Sequence, residues 1–151
     1  MDETHFHIVR EQINRLPCVF EKALLCRAAV CEAERRLSLA EREMVACSEP
    51  VARAACGQLL TLLRANSAFA LKVKDTQRIL PHAMMMKVQC GGLTGLKDLV
   101  DPAAAALDVL KLVRLARAEF GDLDNLPFSR IMQGVVHWQI RKRRPPSEPK
   151  P

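Results

Sequence analysis

The chain has no tyrosine, a single tryptophan and five phenylalanines among 151 residues. So few aromatics argue against a base-stacking platform for single-stranded nucleic acid. No apolar run approaches the roughly 18 residues of a membrane span. The opening MDETHFHIVREQ is charged and lacks the basic and apolar regions of a secretion signal, so a cytoplasmic protein is expected. There is no phosphate-binding glycine loop, no nucleophile elbow and no Glu-x-x-His pair for a di-iron carboxylate site. No acid–base pair stands at a catalytic spacing, and none of the cysteines forms a Cys-x-x-Cys pair.

What is present is thiol. Cys18, Cys26, Cys31, Cys47, Cys56 and Cys90 all lie in the first ninety residues. A reducing compartment makes a disulfide framework unlikely to form and leaves packing, metal ligation or redox chemistry as their uses. A chain of this length buries a core without help from disulfides.

Leucine and alanine dominate, which favours helix over sheet. Thr4 to Leu16 reads as a short helix packing back on the body. Pro17 suits a helix start, and Cys18 to Ala46 contains neither glycine nor proline, so one long helix is expected there. Helical spacing puts Val19, Ala23, Cys26, Val30 and Leu37 on one stripe, with Cys26 as a core residue. Cys18 falls off the stripe and is also read as packing. Cys31 falls at an edge, beside Arg27 and Arg35.

A second helix is expected from Ser48-Glu49-Pro50, with Ser48 as N-cap. Its stripe is Val51, Ala55, Leu59, Leu62 and Leu63. Pro81-His82 opens a short helix that Cys90-Gly91-Gly92 breaks, and Met84 to Met86 read as adaptable core. Asp101-Pro102 signals a helix start, Gly121 its stop, and Phe128 to Arg141 a last helix. The expected fold is an all-α, single-domain bundle of about five helices over residues 1–144. A disordered proline-rich tail follows at 145–151.

Four cysteines stand out as ligands for an iron–sulfur cluster or, as the lesser fit, for zinc: Cys31, Cys47, Cys56 and Cys90. Cys47 precedes a helix N-terminus, where the dipole favours thiolate, and is also a candidate redox thiol. Cys90 precedes two glycines that let backbone N–H groups approach a sulfur. Spacing raises one objection. A straight helix from Cys47 to Cys56 would hold their Cα atoms roughly 12 Å apart, so the chain before Ser48 has to fold back. His5, His7, His82 and His137 carry no ligand pattern and read as surface or helix-start residues.

Two functional readings follow. One is a small cysteine-rich helical protein binding a cluster for electron transfer, redox sensing or cluster delivery, docked to a protein partner. The other is a metal-free helical interaction protein or small subunit. The basic run Arg141, Lys142, Arg143 and Arg144 is a candidate contact for nucleic acid, an acidic protein or a membrane surface; it serves docking in the first reading, and a nucleic-acid role belongs to the second. Neither reading requires enzymatic activity.

Overall fold

The structure is a computed structural model, and it describes residues 2–72 and 80–139. The basic run, the proline-rich tail and most of residues 72–78, whose sequence reads as an exposed loop, lie outside the described residues.

Helix α1 spans Glu3–Ile13, opened by the Asp2 carboxylate accepting from the Thr4 amide. Its Phe6 is buried beneath the Arg42 guanidinium, 4.4 Å from the ring centroid. Arg42 also binds Glu3 at 2.6 Å. Arg10 pairs with Glu21, whose other carboxylate oxygen accepts the Val45 amide at 3.0 Å. Helix α1 therefore packs back, as its apolar residues suggested.

The expected long helix is the main correction to an all-α reading. Helix α2 covers only Glu21–Leu25, and Arg27 leaves it in the left-handed region at φ 63°. The remainder forms an antiparallel hairpin of β1, Glu34–Leu39, and β2, Arg42–Cys47. Its register runs from Glu34 opposite Cys47 to Leu39 opposite Arg42. Ala40 and Glu41 make the two-residue turn at φ 50° and 67°. That is the backbone of a type I′ turn, normally marked by Asn-Gly. Here two good helix formers occupy it, so the turn leaves no mark in the sequence. Cys26 and Val30 end up exposed, because the stripe that was to bury them stops at Leu25.

Everything else is helical. Helix α3 runs Pro50–Ala70, α4 His82–Met86, α5 Gly92–Val100, α6 Val109–Phe120 and α7 Phe128–His137. A π-helical turn at Lys87–Gly91 joins α4 directly to α5. Gly91 and Gly92 therefore do not break the helix. Gly91 and Gly95 let it touch the backbone of α7 at Gly134, where a Cβ would collide. Helix α6 starts at Val109 rather than at Pro102, with the Asp108 carboxylate accepting the Lys111 amide.

The core lies between α3, α5, α6 and α7. Leu59, Leu63, Leu93, Leu96, Leu112, Val113, Ile131 and Val135 meet there with at most 2% of their surface exposed. Phe20, Leu24 and Val45 extend this core under the hairpin. Among the described residues, no helix is long and apolar enough to cross a membrane.

Candidate metal centre

Four cysteines from four separate segments line one cavity of about 20 Å³: Cys18, Cys31, Cys47 and Cys56. Three of them, Cys31, Cys47 and Cys56, belong to the set singled out above. Cys90 does not join them. It is buried in the π-helical turn, with its sulfur 3.8 Å from that of Cys26. Cys18 stands in the fourth place. Its position off the apolar stripe was the available signal, but the helical reading gave it no partner.

Backbone hydrogen bonds account for the convergence. Cys18 follows Pro17, which bridges to Ala46, and the Cys18 amide donates to the Val45 carbonyl at 2.9 Å. The Cys47 amide donates to the Leu16 carbonyl at 2.8 Å. The segment holding Cys18 thus runs antiparallel to β2 through a single bridge, and it sets Cys18 beside Cys47.

Cys31 is placed from two sides. Val30 forms a parallel bridge with Asp108, its amide donating to Leu107 and its carbonyl accepting from Val109, both at 2.9 Å. Across the loop, the Ser48 amide and hydroxyl both donate to the Ala33 carbonyl, at 2.9 and 3.1 Å. Ser48 is therefore a clasp between the Cys31 loop and the end of β2, not the cap of α3. Helix α3 begins at Pro50, and the residues just before it turn out of the strand. Cys47 and Cys56 are not on one straight helix, which removes the spacing objection.

The sulfurs are provided with N–H donors. The amides of Phe20 and Ala33 donate to Cys18 and Cys31. The Glu49 amide donates to the Cys47 sulfur at 3.4 Å. In each case the donor is two residues after the cysteine, so each loop curls around its own sulfur. Cys31 accepts a second N–H from Leu110, in the first turn of α6, where amides have no intrahelical partner. Cys56, inside α3, has its neighbouring amides committed to the helix.

Both α6 and α3 point their positive ends toward this region. The cationic side chain on the cavity wall is Arg53, whose Nε donates to the Pro17 carbonyl at 2.8 Å. Arg27 and Arg35, the cations expected beside the site, are elsewhere. Arg27 lines a different cleft with Cys26, and Arg35 is an exposed residue of β1.

The four thiols lie close enough for each other's charge to be felt. Burial pushes the Cys18 and Cys56 thiols up to about 12. Each is raised further by neighbouring cysteines of the group: Cys31 and Cys47 act on Cys18, and Cys31, Cys18 and Cys47 act on Cys56. Burial also raises Cys31, with Cys47 again among the causes. As drawn, the side chains surround a void rather than a point. Among the described residues, no three His, Cys, Asp or Glu side chains are gathered tightly enough for one metal ion. Neutral thiols packed against an apolar wall have no force drawing them inward. A bound cation deprotonates coordinating thiols outright and supplies that force.

All six cysteines are free thiols. Comparison with protein-family models, with curated proteins and with solved structures found no match to this chain.

Proposed function

We propose that Cys18, Cys31, Cys47 and Cys56 form a four-thiolate centre that holds an iron–sulfur cluster. The chain then works through that cluster, in electron transfer, redox sensing or cluster delivery. The observation that carries this reading is the shared cavity: four thiols, brought from four segments far apart in sequence, line a single void.

Two features support a cluster at this place. Three sulfurs accept an N–H from two residues ahead, and hydrogen bonds to sulfur are a main means of tuning cluster potential. Two helix N-termini and Arg53 offset the charge of four thiolates. A chain of this length buries its core without a structural metal, so zinc, which usually serves to stabilise small domains, is the lesser fit.

The four cysteines are half-buried. A cluster there would lie just beneath the surface, close to a docked redox partner. Six free thiols suit a reducing compartment such as the cytosol.

Anaerobic reconstitution with ferrous iron and sulfide tests the proposal. The expected product is coloured, with the visible charge-transfer absorbance of sulfide-bridged iron. Iron and acid-labile sulfide should be stoichiometric with protein and absent from Cys18→Ser. A colourless product that takes up zinc alone would reassign the centre to zinc. A product that takes up neither would end the metal reading.

A further inference from the structure

The remaining two cysteines form a separate constellation, on a different wall of the molecule. Cys26 and Cys90 are 64 residues apart, yet their sulfurs touch at 3.8 Å. Their settings are opposite. Cys26 is exposed, whereas Cys90 has 1% of its surface accessible.

Local structure holds the pair in place. Cys26 is the C-terminal cap of α2, and the chain then turns through Arg27 in the left-handed region at φ 63°. A non-glycine residue in that region is uncommon and is found where surrounding structure enforces it. Cys90 sits in a π-helical turn, a rare backbone form that concentrates at functional sites. Gln89, next to it, clamps that turn to α2. Its side-chain oxygen accepts the Ala23 amide at 3.2 Å and its nitrogen donates to the Val19 carbonyl at 3.4 Å.

Cys26 opens onto a cleft of about 590 Å³ that Arg27, Met86, Thr94 and Trp138 also line. That volume is in the range of small-molecule sites. The wall offers one guanidinium for a carboxylate, with the indole and the thioether as apolar surface. A small peptide disulfide bearing carboxylates, of the oxidised-glutathione class, has that chemistry.

We propose that Cys26 and Cys90 are a dithiol that reduces such a disulfide by thiol–disulfide exchange in this cleft. Cys26, as its thiolate, attacks one sulfur of the bound disulfide. A mixed disulfide forms and the first small thiol leaves, taking up a proton. Cys90 then attacks the Cys26 sulfur, its thiol proton passing to the departing sulfur as the bond forms. The Cys26–Cys90 disulfide forms and the second small thiol leaves, taking up the second proton. The two cysteines give up two electrons and two protons, and the small disulfide accepts them. Closing from 3.8 Å to a disulfide bond requires an approach of about 1.8 Å, which rotation of the exposed Cys26 side chain supplies. None of these atoms belongs to the four-cysteine cavity, so the activity stands whether or not a metal binds there.

The test incubates the reduced full-length chain with oxidised glutathione, alkylates free thiols and maps the peptides by mass spectrometry. The expected result is a Cys26–Cys90 linked peptide, two glutathiones released per chain, and alkylation retained at Cys18, Cys31, Cys47 and Cys56. Cys90→Ala should stop at a stable glutathione adduct on Cys26, releasing one glutathione. Arg27→Ala should slow formation of that adduct about tenfold, the loss of one charge-assisted hydrogen bond. The proposal is overturned if the wild-type chain accumulates the Cys26 adduct without the Cys26–Cys90 link, or if the link forms elsewhere. An Arg27→Ala variant that reacts at the wild-type rate overturns the assignment of the cleft. These readouts need only mapped peptides and released glutathione. A failure to bind iron or zinc would leave them unchanged.

Discussion

Two glycine-to-alanine substitutions in helices should move stability in opposite directions. Gly134 lies in α7, where an added Cβ would meet the Gly91 carbonyl oxygen, the Gly95 amide nitrogen at 2.6 Å and the Gly95 Cα at 2.8 Å. All three are backbone atoms and no rotamer change relieves them. The methyl therefore has to push α7 off the π-helical turn and α5 by several tenths of an ångström. Overpacking of this kind costs about 1–3 kcal/mol, and rigid backbone partners place it at the upper end. Alanine is favoured over glycine in a helix by up to about 1 kcal/mol. The net for Gly134→Ala is a loss of about 2 kcal/mol. Gly57, in α3, has nothing within 4 Å of an added Cβ. There the helix preference acts alone, and Gly57→Ala should stabilise by about 0.5–1 kcal/mol. For a chain of this size each kcal/mol shifts Tm by about 2–4 °C. Thermal melts of the reduced, metal-free chain, followed by helical circular dichroism, should show Gly57→Ala melting higher and Gly134→Ala melting about 4–8 °C lower. If Gly134→Ala melts at or above the wild-type temperature, the backbone contact between α7 and the Cys90 turn is not as described.

Four further outcomes follow. Cys18→Ser should abolish cluster loading, whereas Cys90→Ser should load as wild type; iron and sulfide analysis of the two variants reads this directly, and the reverse result would return Cys90 to the ligand set. Cys18 and Cys56 keep their protons up to about 12 because burial disfavours the thiolate. Metal binding must displace both, and the proton of Cys31, whose thiol burial also raises, so apparent affinity, measured by chelator competition with zinc or cobalt, should rise at least about a thousandfold per pH unit near neutrality; a pH-independent affinity would contradict it. The same raised values stabilise the metal-free fold below the ordinary thiol value of 9.0, and that contribution should be lost as pH rises from there toward 12. Urea unfolding across that window should show falling midpoints, less so in Cys56→Ala. Gln89→Leu leaves the fully buried Ala23 amide without its partner and should cost about 1–3 kcal/mol, read as a lower urea midpoint with unchanged slope; an unchanged midpoint would show that this clamp contributes nothing.

The helical character of residues 50–70, 109–120 and 128–137 was legible in the sequence, because apolar residues recur there at helical spacing and proline, aspartate or glycine marks the ends. The sequence also singled out Cys31, Cys47, Cys56 and Cys90, and the fold brings the first three of these to one cavity. The hairpin was not legible. Glu34 to Cys47 is rich in helix formers, and its turn uses Ala40 and Glu41 at positive φ without glycine or asparagine. Local propensity is worth tenths of a kcal/mol per residue, and the tertiary contacts of Met44, Val45 and the bridge from Pro17 to Ala46 outweigh it.

Exchange of Cys18 for Cys90 follows from the same cause. On one long helix, Cys18 and Cys47 would stand tens of ångströms apart. On a hairpin bridged to Pro17 they are neighbours, the Cys18 amide donating to Val45 at 2.9 Å and the Cys47 amide to Leu16 at 2.8 Å. Local pattern misplaced two thiols: Cys26, read as core, is exposed, and Cys90, read as a ligand, is buried. Which of them face one another depends on strand register and loop closure, and these are set by long-range hydrogen bonds between segments that no local pattern relates.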